Sequence, residues 1–512
     1  MTTTDPPTQP PTPLAPTVIE LTPAPTIQSA TSSLAHLPGC LLLQSAMKID
    51  QADEVNQSQP DSQTHSQPLG RYSFLMADPI ETIVEPVGSE KIFTRLRSLL
   101  EKFSAQTVAD LPPMQGGLAG MFSYDLNRSI ERVAQPGHDE FELPAIAVGA
   151  YDVVVAWDHY LDKSWIISQG FPAEEPEARR LQANTRARFF HCLLEIGALP
   201  TQPVESQPLQ LSDLAPAFEV DGPEALKSNF APDDYVDSVQ KSIDYINAGD
   251  VFQINLAQRL LFPANCSSLE LHHRLTQCNP APFGGYFDLS GLVDKSGFGN
   301  CAAQIISASP ERLFSVRDGI VETRPIKGTR RRTGRPMVDI EAKEELLASE
   351  KDRAENTMIV DLMRNDLSKV CHDNSITVTQ HCKLEEYQSV FHLVSAVQGR
   401  LKPEHDLIDL LQSVFPGGSI TGAPKVRAME IIAQLEPTAR GAYCGALGYL
   451  GFDGNADLNI LIRTITAARG WWQIPVGGGI VTQSDPTREY EETWTKAAGM
   501  LRAATMKDGD HK

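Results

Sequence analysis

The eight cysteines of this 512-residue chain include no Cys-x-x-Cys pair. They are scattered over positions 40, 192, 266, 278, 301, 371, 382 and 444. Zinc sites and disulfide-stapled folds need closely spaced or patterned cysteines, so the sequence favours neither. Scattered cysteines are typical of proteins in a reducing cytosol.

Positive charge is also scarce. With 44 basic and 65 acidic residues, the formal net charge is −21. The overall field therefore repels polyanions such as nucleic acid. An anionic substrate must be held locally, by a metal ion or by individually placed basic side chains.

Long apolar runs are missing as well. No run approaches the roughly 18 residues of a membrane-spanning helix, and the N-terminus has neither the basic start nor the apolar segment of a signal peptide. We find no internal repeats. The chain, with 41% hydrophobic residues, is predicted to be globular and cytoplasmic, with one large core or two to three domains.

Composition divides the chain into four regions. Residues 1–30 are rich in proline and threonine, which predicts a disordered tail. Residues 31–200 are predicted to be a β-rich N-terminal region, interrupted by the polar stretch 51–67. Residues 201–231 are predicted to be a linker. Residues 232–507 carry nearly all of the candidate chemistry and are predicted to be the catalytic domain.

The most informative residue is Lys327, in the run Pro-Ile-Lys-Gly-Thr. Asp318 and Gly319 separate two alternating strands, a pattern typical of a two-residue hairpin turn. In such a hairpin Glu311 comes within one position of facing Lys327, so a one-residue bulge would align the two. The pattern predicts a carboxyl and an amine at one place, either as a structural ion pair or as an acid and a nucleophile.

Two predicted helices carry acidic residues beside apolar positions. Glu355 borders the apolar face of the helix predicted over residues 351–366. In a second helix, predicted over residues 487–504, Glu492 and Lys496 are four positions apart. Spacing alone favours a solvent-exposed ion pair of little energetic weight for Glu492 and Lys496.

Two glycine-rich segments could approach a ligand closely. The segment 415–425 leads into a predicted helix and would present backbone N–H groups to an anion. It is not a nucleotide-binding P-loop, because Gly422 is followed by Ala423 and not by a lysine. The segment 477–479 consists of three glycines.

Together these segments resemble the large subunits of the chorismate-utilising enzymes, a family that includes anthranilate, aminodeoxychorismate, isochorismate and salicylate synthases. The resemblance covers nearly all of the chain after about residue 35, including Gly70–Ser73, Gly116–Gly120 and Asn279–Phe283. It implies an α/β fold in which two β-sheets pack face to face, flanked by helices. The active site is expected in a cleft between the sheets.

Within the family, the residue at position 327 indicates the reaction. Anthranilate synthases resemble Pro-Ile-Ala-Gly-Thr here, whereas aminodeoxychorismate synthases have Pro-Ile-Lys-Gly-Thr, as this chain does. Isochorismate and salicylate synthases have a water-activating lysine in place of Gln253, and glutamine cannot serve as that base. The resemblance implies amination of chorismate to 4-amino-4-deoxychorismate, in the p-aminobenzoate and folate branch. The alternative is anthranilate synthase activity, which would also expel pyruvate and aromatise the ring.

The resemblance also implies roles for individual residues. Lys327 would attack C2 of the ring while Glu311 protonates the departing hydroxyl, and Glu355 and Glu492 would hold Mg²⁺. Positions matching family residues around the substrate are Arg463, Lys496, Thr421, Tyr449, Gly478, Gly479, Gln253 and His392. For His392, a purely structural role is an equal alternative.

Ammonia must come from a partner. The chain has no Gly-x-Cys-x-Gly glutaminase motif, and the surroundings of Cys444 do not fit one. The resemblance therefore implies a separate glutamine amidotransferase subunit. The strand around Gln44 resembles the tryptophan-site strand of anthranilate synthases, but a glutamate is usual where Gln44 stands, which argues against feedback inhibition by tryptophan.

Overall fold

The computed structural model describes residues 14–46, 69–199, 207–292, 302–387 and 390–506. Its helices are α1 (Ile27–Leu34), α2 (Ile92–Lys102), α3 (Pro176–Ile196), α4 (Pro232–Asn247), α5 (Ser268–Cys278), α6 (Pro336–Ala348), α7 (Glu350–Ser368), α8 (Leu407–Val414), α9 (Lys425–Leu435) and α10 (Pro486–Thr505). Its strands are β1 (Thr17–Glu20), β2 (Leu41–Gln44), β3 (Tyr72–Met76), β4 (Glu81–Glu85), β5 (Gly117–Phe122), β6 (Ile146–Tyr151), β7 (Val153–Asp158), β8 (Lys163–Ser168), β9 (Phe218–Glu219), β10 (Lys227–Ser228), β11 (Gln253–Pro263), β12 (Phe283–Asp288), β13 (Ala303–Ser309), β14 (Arg312–Arg317), β15 (Ile320–Arg324), β16 (Ile326–Arg331), β17 (Thr377–Glu386), β18 (Val390–Arg400), β19 (Gly422–Ala423), β20 (Ala446–Gly451), β21 (Ala456–Asn459), β22 (Thr464–Ala468) and β23 (Trp471–Ile480).

The strands form two antiparallel sheets, one of 13 strands and one of 10. The larger sheet runs β1-β8-β7-β3-β2-β12-β13-β22-β23-β11-β10-β9, with β19 also on β11. The smaller runs β16-β18-β15-β14-β21-β20-β5-β6-β4, with β17 also on β18. In each sheet the strands up to β8 form one block and the strands from β9 onward form another. The blocks meet along one seam per sheet, β2 with β12 and β20 with β5.

The two sheets pack face to face, and the helices cover their outer faces. Buried side chains of both sheets share one core, as where Phe74 of the larger sheet meets Tyr449 of the smaller with ring centroids 5.8 Å apart. A second core packs α2, α7 and α8 on the smaller sheet, and a third packs α1, α3, α5 and α10 on the larger. The predicted α/β fold of two packed sheets flanked by helices is confirmed.

The turn at Asp318 and Gly319 is confirmed, because both residues have positive φ, 50° and 75°, and Arg317 pairs with Ile320 across it. The alignment of Glu311 with Lys327 across this hairpin is wrong. A bulge in β14 shifts the pairing by one residue in the direction opposite to the predicted one. Beyond Pro325 the chain continues as β16, which pairs with β18 and not with β14.

One predicted strand, over residues 147–157, is two strands in different sheets. β6 belongs to the smaller sheet and β7 to the larger, with Asp152 between them. The Asp152 carboxylate is fully buried and accepts from Arg186 at 2.9 Å. A buried carboxylate needs such a partner, so this ion pair fixes the crossover between the sheets.

The tail and the linker are shorter than the sequence predicted. Residues 17–20 form β1, which pairs with β8, and α1 begins at Ile27. Residues 227–228 form β10, which pairs with β11. The proline content of these regions predicted disorder, but prolines are tolerated beside short strands at or near the edge of a sheet. Residues 1–13, 200–206 and the polar stretch 51–67 lie outside the described residues.

Among the helices that the structure describes, none is long and apolar enough to span a bilayer.

Candidate active site

Lys327 lies on β16 where the ladder with β18 is interrupted by a bulge at Gly328. Gly328 has φ 78°, and a Cβ there would lie 2.9 Å from Leu346 and 3.0 Å from Asp352. Only glycine fits that backbone. The bulge re-aims the strand, and the Lys327 amine donates to the carbonyl oxygen of Ser419 at 3.0 Å.

Burial lowers the pKa of Lys327, against the opposing effect of nearby Glu355 and Glu311. A lysine with a lowered pKa has a larger neutral fraction, which is the nucleophilic form. The amine is therefore held in place and shifted toward the state that could attack an electrophile.

Glu311 is 4% exposed and lies just before β14. Burial raises the pKa of its carboxyl, which also has a hydrogen bond to the Ser419 side chain and lies near Lys327. The backbone N–H of Ile326 donates to Glu311 Oε1 at 3.4 Å. Glu311 and Lys327 thus meet as predicted from their sequence positions, although by different pairing.

The larger sheet contributes a backbone wall opposite Lys327. A Cβ at Gly479 would lie 3.8 Å from Lys327 Nζ and would clash with the Gln253 amide. A Cβ at Gly478 would lie 3.1 Å from Glu489 and 3.6 Å from Lys496 Nζ. Gly479 and Gln253 therefore lie beside the Lys327 amine, and Gly478 lies beside Lys496 and Glu489, while their contact with substrate stays a prediction.

Three carboxylates gather beside this wall. Glu355 lies on α7, and Glu489 and Glu492 lie on α10. Burial raises the pKa of Glu355 and of Glu489, whereas for Glu492 the neighbouring Lys496 outweighs burial and the pKa is lowered. Lys351 Nζ bridges the two helices, 3.9 Å from Glu355 and 3.7 Å from Glu489.

Lys496 and Arg463 bring positive charge to the same place. Lys496 Nζ lies 2.7 Å from Glu492 and donates to the carbonyl of Gly477 at 2.8 Å. Arg463 donates to the carbonyl of Lys496 at 3.2 Å. Burial lowers the pKa of Arg463, partly offset by Tyr443 and Glu492.

Two further predicted residues lie at the border of this cluster. Thr421 is fully buried, and its hydroxyl donates to the carbonyl of Gly417 at 3.0 Å, within its own loop. His392 hydrogen-bonds Thr329 at 2.8 Å, and burial and then Arg463 lower its pKa to about 4. A role in substrate contact stays a prediction for both.

The structure does not bring Tyr449 into this cluster, and a role for it in substrate contact stays a prediction. Its hydroxyl accepts from Arg317 at 2.7 Å, and its ring lies in the core between the sheets. There it lines a separate cavity of about 120 Å³, together with Gln44 and Tyr72. Tyr443, which precedes the strand that carries Tyr449, is the tyrosine that interacts with Arg463. Of the two tyrosines in the run Ala-Tyr-Cys-Gly-Ala-Leu-Gly-Tyr, the first is therefore the one that lies near the cluster.

Sequence reasoning missed Ser419, Glu489, Lys351 and Tyr443. Glu489 was visible at the correct helical spacing from Glu492 and Lys496. Ser419 acts through its carbonyl as well as its hydroxyl, and a carbonyl carries no sequence signal. The remaining contacts depend on how α7 and α10 meet.

The donor set fits a hard divalent cation such as Mg²⁺. No group of three or more His, Cys, Asp or Glu residues in the described ranges could hold a metal ion by itself. Mg²⁺ is usually bound through only one or two carboxylates, with waters and substrate oxygens completing the shell. Glu355 and Glu492, on facing helices, match that requirement.

Comparisons with known proteins support the family that the sequence resembles. The sequence model described as chorismate binding enzyme matches residues 57–502. Anthranilate synthase component 1 of Thermus thermophilus is 38% identical over 440 residues, 85% of this chain and 87% of the relative. Aminodeoxychorismate synthase component 1 of Salmonella typhimurium is 35% identical over 504 residues, 95% of this chain and 98% of the relative.

The fold has a solved counterpart. The crystal structure of anthranilate synthase component I from Streptococcus pneumoniae superposes with a TM-score of 0.68 and 29% identity, covering 88% of this chain and 97% of that one. By its sequence and its fold, the chain belongs to the family of chorismate binding enzymes.

Proposed function

We propose that this chain converts chorismate and ammonia to 4-amino-4-deoxychorismate. The observation that carries the proposal is Lys327, an amine of lowered pKa held 3.0 Å from the Ser419 carbonyl, beside the buried acid Glu311. In a covalent route to amination the enzyme's nucleophile must add and then leave again, and a neutral lysine can do both.

In the proposed reaction Lys327 attacks C2 of chorismate, and both double bonds of the ring shift so that the bond from C4 to its hydroxyl can break. Glu311 gives its proton to the 4-hydroxyl, which departs as water. Ammonia then adds at C4 and the Lys327 nitrogen departs from C2. The raised pKa of Glu311 favours the protonated state that this step needs.

The charges of chorismate require local compensation. Arg463 and Lys496 would bind its carboxylates, with Gly478 and Gly479 allowing close approach of the backbone. Glu355 and Glu492 would hold Mg²⁺, which when bound would supply charge stabilisation at the ring carboxylate. Because the chain has a net charge of −21, these local groups must overcome the repulsion of a dianion.

A separate glutamine amidotransferase subunit would supply the ammonia. The words "component 1" in the names of the relatives from Salmonella typhimurium and Bacillus subtilis support this expectation.

The alternative is anthranilate synthase activity, favoured by the 38% identity to the enzyme of Thermus thermophilus. Product analysis separates the two. Purified protein is incubated with chorismate, Mg²⁺ and ammonium, and the products are identified by mass spectrometry. We expect 4-amino-4-deoxychorismate without pyruvate. Stoichiometric pyruvate would reject the proposal in favour of the alternative.

Lys327→Ala tests the nucleophile. In the absence of ammonia, intact-protein mass spectrometry should detect a chorismate-derived adduct on the wild type and on Lys343→Ala, whose lysine pairs with Glu386 on the surface. The Lys327→Ala variant should show none and should lose most of its turnover. Near-normal turnover by Lys327→Ala would leave that lysine with a binding role only.

A further inference from the structure

Residues 415–424, here called the 415–424 loop, join α8 to α9 and carry Ser419. Ser419 contacts both groups that the proposed reaction uses. Its carbonyl accepts from Lys327 Nζ at 3.0 Å, and its side chain hydrogen-bonds the Glu311 carboxyl. The position of this loop therefore sets how the amine and the acid lie relative to each other.

One ammonium group holds both ends of the 415–424 loop. Lys425 follows the loop directly, and its Nζ donates to the carbonyl of Val414, the residue before the loop, at 3.1 Å. The same Nζ donates to Asp366 Oδ2 at 2.6 Å. The side chain of Asp366 is 2% exposed and that of Lys425 13%, so this pair is shielded from solvent.

The second half of the loop has other anchors. Arg440 donates to the carbonyl of Ile420 at 3.0 Å, and Asn255 donates its backbone N–H to the carbonyl of Thr421 at 2.8 Å. Both contacts lie after Ser419. The hydrogen bond from Lys425 to Val414 instead restrains the start of the loop, where it leaves α8. Ser419 is therefore restrained from both sides along the chain.

We infer that Lys425 is a positioning residue for the proposed reaction, which closes the 415–424 loop onto α7 and thereby holds Ser419 against Lys327 and Glu311. The inference rests on the proposed function, because it requires Lys327 and Glu311 to be the reacting groups. Lys425 itself contacts neither of them and acts only through Ser419.

A matched control lies beside it. Lys369 also pairs with Asp366, at 3.2 Å, but its side chain is 56% exposed, and the contact found for it is within its own turn of α7. Lys425→Met and Lys369→Met each remove one lysine from the same carboxylate. Only Lys425→Met also removes the hydrogen bond that ties Val414 to the far end of the loop.

The first readout is the division between kcat and KM, measured by chorismate consumption. We expect Lys425→Met to lower kcat about tenfold or more while KM changes less than about twofold, because misplaced reacting groups slow the chemical step. Lys369→Met should keep both constants, and Lys425→Arg should recover part of the loss. A Lys425→Met variant with normal kcat would overturn the inference.

The second readout is the pH dependence of kcat. The Ser419 hydrogen bond lowers the pKa of Glu311, so Ser419→Ala should raise it, and the fall of activity as Glu311 loses its proton should move to higher pH. Lys425→Met should cause a shift in the same direction. The double variant should shift no further than Ser419→Ala alone, and fully additive effects would contradict the inference.

If Lys425→Met does not fold, Lys425→Met combined with Asp366→Asn removes both charges and faces the same two readouts with the same expectations. Chorismate consumption does not depend on which product forms. A product other than 4-amino-4-deoxychorismate would therefore reject the proposed function and leave the comparison among these variants intact.

Discussion

At the scale of single residues, Tyr443 and Tyr449 form a matched pair for mutagenesis. Tyr443→Phe should lower kcat/KM by about tenfold, because it removes a polar group that interacts electrostatically with the buried Arg463. Tyr449→Phe should leave kcat/KM unchanged, because that hydroxyl binds Arg317 in the core between the sheets. Steady-state kinetics of the two variants checks this. The reverse ranking would restore Tyr449 to the substrate site.

Lys351 places an ammonium between Glu355, one of the two carboxylates that would hold Mg²⁺, and Glu489. Its charge opposes that of an incoming cation, so Lys351→Met should bind Mg²⁺ about fivefold more tightly, or about 1 kcal/mol. This value is modest because the lysine is 49% exposed and screened by solvent.

Isothermal titration with Mg²⁺ measures the effect of Lys351→Met. Lys343→Met, which removes the same charge near Glu386, is the control and should bind Mg²⁺ as the wild type does. Equal affinity in all three proteins would show that the Lys351 contacts are incidental.

The sequence predicted those site residues whose chemistry is in the side chain and whose neighbours are local. Helical spacing predicted that Glu492 and Lys496 lie side by side, whereas their place in the site, like that of Lys327, came from the family resemblance. Ser419 could not be predicted, because its carbonyl is what contacts Lys327. Tyr443 could not be separated from Tyr449 without knowing which side chain points between the sheets.

At the scale of elements, the position of a turn could be predicted from the sequence more reliably than the buried face of a helix. The hairpin at Asp318 was confirmed because positive φ at two adjacent positions has a sequence signature. The sequence pattern puts Trp494, Ala497, Ala498 and Leu501 on the buried side of α10. Ala497 is buried and Trp494 and Leu501 are half-buried, but Ala498 is exposed and Met500 is buried instead. Many residues of that helix are small or polar and mark no clear apolar face. Its orientation is therefore set by its packing against the larger sheet.

Helix α5 contains an acid-sensitive residue, His272. Burial, and then His273, lower the pKa of His272 to about 3, well below its ordinary value. In the unfolded chain His272 therefore takes up a proton near pH 6.5, whereas in the folded chain it stays neutral at that pH. The free energy of unfolding falls as the pH drops below that value. Between pH 7 and pH 5 this one group should cost about 2 kcal/mol of unfolding free energy.

Urea unfolding of His272→Leu at the two pH values tests this estimate. The loss of stability between pH 7 and pH 5 should shrink by that amount, while His191→Leu, a change of the 37% exposed histidine on α3, should leave the loss unchanged. An undiminished loss in His272→Leu would mean that other groups cause the acid sensitivity.

At the scale of the whole molecule, β1 should matter although it lies in the region predicted to be a tail. It pairs with β8 over four residues and covers the edge of the larger sheet. A variant that starts at residue 25 should melt a few degrees lower than a variant that starts at residue 14. Thermal unfolding followed by circular dichroism measures this, and identical melting temperatures would show that β1 contributes nothing.

The two-sheet architecture entered the prediction through family resemblance, and pattern reading alone would not have given it. Alternation of apolar and polar residues predicts that a segment is a strand, but it does not predict which strand pairs with it. Asp152 shows why, since a continuous apolar run crosses from one sheet to the other at a single buried carboxylate. Pairing between distant strands, such as β2 with β12, leaves no local signal.

The two seams have a consequence for recombination between relatives. Along β2 with β12 and along β20 with β5, the halves join through backbone hydrogen bonds, which any sequence can make. The core between the sheets, by contrast, interlocks side chains from both halves. A gene crossover within the 201–231 segment should therefore preserve strand register, and the fitness of such a chimera should depend on whether its two parents evolved compatible core volumes.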